Sequence, residues 1–260
     1  MQDMEITFLG TGTSHGIPVI GCDCPVCYSA DPRDKRQRSS ILVRTPEMHF
    51  CVDTTPDFRA QCLREGITRL DAVVYTHSHS DHVLGFDDLR RFCEIEDKAI
   101  PIYGSPHTLD DLSRIFKYAF DDSPKFRTYV RPAPHVIDGP FRLGETQIVP
   151  VVLPHGRATT TGLVFSRGAR KLLAYMTDCQ DVPAEAVEAA RGAEVLVIDA
   201  LRQEPHTTHL SVGQALAVVG QIRPAQTYFI HMGHGLGHAE TEAGLPMDVR
   251  LSYDGLRLSI

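Results

Sequence analysis

Four side chains able to bind a metal fall within six positions in Thr76-His77-Ser78-His79-Ser80-Asp81-His82. Imidazole and carboxylate together suit zinc, manganese or iron. His77 and His79 alternate, so an extended segment points both the same way. Asp81 and His82 then fall around a turn and can face a second ion. A solvated polar loop often holds one His-x-His. It rarely holds His-x-His-x-Asp-His directly after an apolar run such as 72–75.

A second set, Gly21-Cys22-Asp23-Cys24-Pro25-Val26-Cys27, offers three thiolates, one ligand short of a closed tetrahedral zinc site. The spacing is tight for three unrelated core cysteines. The fourth ligand must come from elsewhere, and His15, His206, His234 and His238 all qualify by type. Cys51, Cys62, Cys93 and Cys179 belong to no such pattern and are expected to pack as small apolar side chains. The segment His206-Thr207-Thr208-His209-Leu210-Ser211 has two readings. One is a site histidine of near-neutral pKa. The other is a helix cap from Thr208 or Ser211, with the histidines solvated. Arg33-Asp34-Lys35-Arg36-Gln37-Arg38 is ordinarily a solvated charged face, with a phosphate clamp as the functional alternative. Arg59 and Arg157 are weaker candidates for the same task.

These side chains need elements to hold them. Residues 6–9 form a short apolar strand ahead of Gly10-Thr11-Gly12-Thr13, and about 14–38 is a long irregular loop that a metal would fasten. Strands are expected at 41–43 and 49–52 around a turn at Pro46. A helix follows Asp57, with Phe58 and Leu63 on its inner side. Further expectations are a strand at 72–76, a helix at 84–92, a strand at 100–103 and a helix at 109–120. Residues 142–174 are strand-rich with turns at Gly144 and Gly168. Then come a helix at 183–190, a buried strand at 195–199, a helix at 211–219 and a strand at 226–230. The polar residues of interest fall just after strand ends, where α/β-type folds build sites.

Composition narrows the class. A chain of 260 residues with 42% hydrophobic content supports one well-filled core. A single domain over 1–260 is expected, with the zinc-binding loop at about 14–38. No apolar run is long enough to span a bilayer, and the start lacks the pattern of a secretion signal. Seven cysteines, three of them clustered, fit a reducing cytoplasm better than a disulfide framework. The formal charge of −7 argues against a stable nucleic-acid partner. Oligomeric state stays open, a homodimer included.

The pattern His77-x-His79-x-Asp81-His82 resembles the signature of the metallo-β-lactamase superfamily. That resemblance implies an α/β (α+β) fold, a four-layer αββα sandwich with a dinuclear site between the sheets. Its other motifs match in order at Asp53, at His155 in Leu153-Pro154-His155-Gly156, at Asp178 in Tyr175-Met176-Thr177-Asp178, and at His231 after Tyr228-Phe229-Ile230. The resemblance assigns His77, His79 and His155 to one metal and Asp81, His82 and His231 to the other, with Asp178 bridging. Asp53 supports the histidine loop. Two divalent ions, manganese or zinc, then sit about 3.5–4 Å apart and activate a water for in-line displacement.

The cysteine loop, with Gly-Thr-Gly-Thr ahead of it and His231-Met232-Gly233-His234 at the far end, is similar to the PhnP-type phosphodiesterases. There, a structural zinc on three cysteines and a histidine pins the N-terminal loop, which puts His234 in the fourth position. The same likeness makes His209 the acid that protonates the leaving alkoxide. His209, Asp81 and Asp53 form the expected catalytic set, with His206 as runner-up for the acid. The implied substrate is a small phosphorylated molecule, such as phosphoribosyl 1,2-cyclic phosphate or a cyclic nucleotide. A ribonuclease Z-like enzyme is the alternative, although no long basic arm is evident. A degenerate nucleotide sensor is a second one, although it would be expected to lack ligands.

Overall fold

A computed structural model describes residues 3–121 and 126–260. The chain lays down β1 (Glu5–Gly10), β2 (Ser40–Arg44), β3 (His49–Val52), β4 (Ala72–Val74), β5 (Ile100–Gly104) and β6 (Pro132–Val136) in one sheet. It then builds a second sheet from β7 (Phe141–Leu143), β8 (Thr146–His155), β9 (Ala158–Arg167), β10 (Arg170–Met176), β11 (Val195–Asp199), β12 (Gln226–Ile230) and β13 (Val249–Leu251). Finally β14 (Arg257–Ser259) returns to the first sheet. The orders are β14-β1-β2-β3-β4-β5-β6 and β13-β12-β11-β10-β9-β8-β7.

Side-chain alternation explains the layering. In β11, Val195 and Val197 join the cluster between the sheets, whereas Leu196 and Ile198 face the outer helices. In β10, Leu173 and Tyr175 face inward, while Ala174 and Met176 face outward. Strands apolar on both faces must be covered on both. Helices α1 (Phe58–Glu65), α2 (Ser80–Val83), α3 (Arg90–Glu96), α4 (Pro106–Ile115) and α5 (Lys117–Phe120) follow strands of the first sheet. Helices α6 (Ala184–Ala190), α7 (Val212–Ile222) and α8 (His238–Ala243) follow strands of the second. The result is the expected αββα sandwich.

Strands β3 to β6 run parallel, as do β10 to β13, so each set delivers its C-terminal ends to one edge. Helix α7 shows how sequence sets an element. Ser211 and Gln214 form a reciprocal capping box, and Val212, Ala215, Val218, Val219 and Ile222 bury one face.

Three expectations shift. Leu63 is 67% exposed, and α1 buries Phe58 and Gln61 instead. At roughly 100° per residue, five positions put Leu63 about 140° from Phe58. The helix expected over 84–92 is a 3₁₀ turn, Phe86–Leu89, followed by α3. Gly85 lies against the 54–55 backbone, so closely that a Cβ would come within 2.1 Å of the Thr55 carbonyl oxygen. The helix expected over 109–120 breaks at Phe116, whose ring stacks on Phe86 at 4.6 Å. Among the described residues, no helix is long and apolar enough to cross a membrane.

Candidate functional site

Polar residues converge from the C-terminal ends of six strands. Asp53 follows β3, His77 to His82 follow β4, His155 ends β8, Asp178 follows β10, Asp199 ends β11 and His231 follows β12. Asp53, Asp178 and His231 have φ of 66°, 54° and 60°, a left-handed conformation uncommon for residues other than glycine. Each turns the chain sharply at its strand end and aims its side chain into the cluster.

Asp53 is fully buried and does not line the cleft. Its Oδ2 accepts from His82 Nδ1 at 2.7 Å and from Thr76 Oγ1 at 2.8 Å, and its Oδ1 accepts from Thr76 N at 2.8 Å. Thr76 Oγ1 in turn lies 3.0 Å from His77 Nδ1. One carboxylate thus orients two rings, each through Nδ1, and leaves each Nε2 free. His155 is fixed the same way, Nδ1 donating to the Thr208 carbonyl at 2.8 Å. Its Nε2 meets His79 Nδ1 at 3.3 Å. Tetrahedral zinc with bonds of roughly 2.05 Å separates two nitrogens by about 3.3 Å.

The donor atoms of His77, His79 and His155 all lie within 4.8 Å of one another, and so do those of Asp81, His82, Asp178 and His231. Asp178 also joins His155 and His209 within that distance, which puts it between the two sets. His82 Nε2 is 3.3 Å from both Asp81 Oδ2 and Asp178 Oδ2, and His231 Nδ1 is 3.1 Å from Asp178 Oδ2. Yet His77 Nε2, His82 Nε2 and His231 Nδ1 are buried without a hydrogen-bond partner. Buried polar atoms in this state are rare and point to an unfilled coordination task. Burial pushes the pKa of His77 down and that of His231 down to about 4, which favours the neutral ring that can ligate. Burial opposes charge on His82 too, but Asp178, Asp81 and Asp53 outweigh it and push its pKa up. That excess of negative charge suits a cation. The residues present therefore fit two divalent ions.

Asp199 lies outside every motif of the sequence. Its Oδ2 lies 2.8 Å from His209 Nδ1 and accepts from the Cys179 backbone N at 3.0 Å. Burial raises Asp199 to about 6 even against the pull of His209. Burial also opposes charge on His209, but the Asp199 hydrogen bond and charge more than offset it, and the His209 pKa rises. A signal existed: Val197-Ile198-Asp199 closes an apolar strand with an aspartate, as Phe50-Cys51-Val52-Asp53 does. His209 faces a cleft of about 460 Å³ lined with His79, Asp81, His155, Arg157, Asp178 and His231 among others. His206 stands aside, its ring 5.4 Å from that of His209 and its Nδ1 accepting from Thr208 N at 3.3 Å. Ser211 caps α7, as the capping reading of this segment expects.

The cysteine loop closes on His234. Its Nδ1 lies 3.2, 3.6 and 3.7 Å from the sulfurs of Cys22, Cys24 and Cys27. Tetrahedral zinc separates sulfur from nitrogen by about 3.5 Å. His15, His206 and His238 are not in this set. The basic run is tied into the fold, although Lys35 stays exposed and only Arg36 among its cations is buried. Arg33 pairs with Asp31, and Lys35 donates to the Cys27 carbonyl. Arg36 is buried on Asp34, and Arg38 pairs with Asp57. Arg59 lines a different groove, while Arg157 does line the cleft.

A family model described as a β-lactamase superfamily domain matches residues 49–232, and the chain belongs to that superfamily. It is also 38% identical to the protein in "Crystal Structure of a New Diphosphatase from the PhnP Family", over 99% of this chain and 97% of that one, with a TM-score of 0.91. Within the superfamily it is thus a PhnP-family chain, with the fold of a metallo-β-lactamase hydrolase.

Two curated relatives carry other names. An octanoyltransferase of Porphyromonas gingivalis (strain ATCC BAA-308 / W83) is 36% identical over 99% of this chain, which spans only 52% of that protein's length. A ribonuclease Z of Bradyrhizobium sp. (strain ORS 278) is 25% identical over 88% of this chain and 89% of its own length. The transferase name belongs to a protein about twice as long and is not carried to this chain.

Proposed function

We propose that the chain is a two-metal phosphodiesterase acting on a small phosphodiester, foremost a cyclic one such as phosphoribosyl 1,2-cyclic phosphate or a cyclic nucleotide. His77, His79 and His155 would hold one divalent ion, manganese or zinc, and Asp81, His82 and His231 the other, with Asp178 shared. Cys22, Cys24, Cys27 and His234 would hold a separate structural zinc. Two ions held there would supply an acidified water and would stabilise the charge on the phosphoryl oxygens.

The chain's own groups do the rest. Asp53 and the Thr208 carbonyl keep three ligand rings in the tautomer that leaves Nε2 free. His209, held through Nδ1 by Asp199, presents its other nitrogen to the leaving oxygen. As water adds to phosphorus and the P–O ester bond breaks, that nitrogen gives up its proton to the departing alkoxide.

The observation that carries the reading is this His209–Asp199 pair beside both ligand sets. An alkoxide leaves poorly without a proton, so a held acid serves a phosphodiester well. It serves a diphosphate less, because phosphate is the better leaving group. A cleft of about 460 Å³ suits a sugar phosphate or mononucleotide. The ribonuclease reading draws only on the ribonuclease Z relatives.

The test is a leaving-group comparison. His209→Ala should keep both ions and slow alkyl diesters about 10²–10⁴-fold, the usual range for a general acid, while nitrophenyl diesters lose far less. Equal losses with both leaving groups would remove His209 from the acid role.

A further inference from the structure

We propose that the N-terminal cysteine loop acts on the active centre through Thr13, whose hydroxyl holds His231 in the tautomer that turns Nδ1 toward the metal position. Thr13 Oγ1 lies 3.2 Å from His231 Nε2, across 218 positions of sequence. Both residues are buried, at 8% and 1% exposure. With Nε2–H donated to that hydroxyl, Nδ1 carries the lone pair. Nδ1 is the atom that is buried without a hydrogen bond, 3.1 Å from Asp178 Oδ2. Three other ligand rings have their own orienting group: Asp53 for His82, Thr76 for His77 and the Thr208 carbonyl for His155. Thr13 supplies the fourth, and it alone comes from the N-terminal loop.

The backbone shows why the cysteines matter to this contact. Thr13 N donates to the Met232 carbonyl at 3.1 Å, and Met232 N donates to the Thr11 carbonyl at 3.0 Å. Two residues on, His234 meets the three cysteine sulfurs. Between and beyond them, buried Arg36 donates to the carbonyls of Gly233 at 3.2 Å and Leu236 at 2.6 Å. Residues 231–236 are therefore gripped by the loop along their length, by Thr13 at His231, by the sulfurs at His234 and by Arg36 at Gly233 and Leu236. A zinc ion that draws the cysteines onto His234 keeps Thr13 seated on His231. Losing it frees the loop and weakens the site that contains Asp81, His82 and His231. Such coupling is reciprocal, so filling the active centre should also make the zinc harder to remove.

This inference rests on the metal assignment above, and the experiment separates the two. Wild-type protein, stripped of active-site metal, is titrated with manganese and with zinc against a chromophoric chelator, with no substrate present. Two binding steps in wild type test the assignment, and the ratio of variant to wild type tests the coupling. Thr13→Val should weaken one step about 10–100-fold, the usual cost of losing an orienting partner. It should leave the other step near wild type, and Thr13→Ser should restore the first. Wild-type affinities in Thr13→Val, or equal losses at both steps that serine does not rescue, would overturn the role of Thr13.

Cys24→Ser, at a half-exposed position, should weaken the same step. Combined with Thr13→Val it should add little, since both act through one contact. Losses that multiply in the double variant contradict coupling through Thr13. If Cys24→Ser does not fold, His234→Ala on the exposed side of the cluster carries the same comparison.

Discussion

His209 can act as an acid only if its proton sits on the nitrogen that faces the cleft when the substrate arrives. Asp199, fully buried and 2.8 Å from Nδ1, fixes that orientation. Asp199→Asn keeps the shape but removes the charge that favours the imidazolium. It should slow alkyl diesters by up to about 10²–10⁴-fold while metal content stays at the wild-type level, as metal analysis beside turnover would check. Loss of metal instead would mean that Asp199 supports the cluster. Asp178→Ala should do the reverse, losing turnover together with metal, because a shared carboxylate sets the spacing of two ions. A variant that retains both ions and near-normal rates contradicts the shared role. At this scale the sequence was legible where ligands crowd together. His77 to His82 and Cys22 to Cys27 announce themselves by spacing. Asp199 does not, because one aspartate ten positions from its histidine has no spacing to recognise. The left-handed turns at Asp53, Asp178 and His231 were also hidden, since only tertiary packing holds those residues there.

Elements bring the site together by aligning strand ends, and a few close contacts set how tightly they do so. Gly156, with φ of 60°, turns β8 into β9 directly after His155, and a Cβ there would meet Thr208 Cγ2 at 2.7 Å. Gly156→Ala should push the 206–209 segment away, lengthen the bond from His155 to the Thr208 carbonyl, and lower metal affinity about 10-fold, as loss of an orienting partner does. Chelator competition would measure it, and unchanged affinity would show that the contact yields. Far from the site, Arg167 of β9 grips Glu47 in the turn between β2 and β3 with bonds of 2.8 and 2.9 Å, tying one sheet to the other. That grip depresses the Glu47 carboxyl from its ordinary 4.5 to about 2. A depressed acid stabilises the fold above its ordinary pKa and ceases to do so as pH falls from about 4.5 to about 2. Because the pair is open to water, Glu47→Gln should cost under about 1 kcal/mol at pH 7. The difference in urea midpoint from wild type should shrink toward pH 2, and a constant difference would contradict the assignment. Periodicity located most strands and α7 to within a few residues. It missed the breaks at Gly85 and Phe116, which contacts remote in sequence impose.

At the scale of the molecule, seven active-site side chains and a separate set of three cysteines and one histidine could hold up to three ions per chain. Elemental analysis should find a zinc that survives mild chelation alongside two ions that do not. Cys22, Cys24 and Cys27 reacting freely with thiol reagents in the metal-loaded protein would contradict the structural site. Metal content cannot separate a phosphodiesterase from the enzymes named among its relatives, a diphosphatase and a ribonuclease Z. Substrate can. The most direct measurement is phosphorus NMR of the manganese-loaded protein with a cyclic ribose phosphate, a 2′,3′-cyclic nucleotide, a linear diester, a nucleoside diphosphate and a precursor tRNA in parallel. A cyclic diester resonance should give way to a monoester resonance, fastest among the five, and His209→Ala should slow this conversion about 10²–10⁴-fold. Turnover confined to the diphosphate or to the precursor tRNA, with the cyclic esters untouched, would contradict this account.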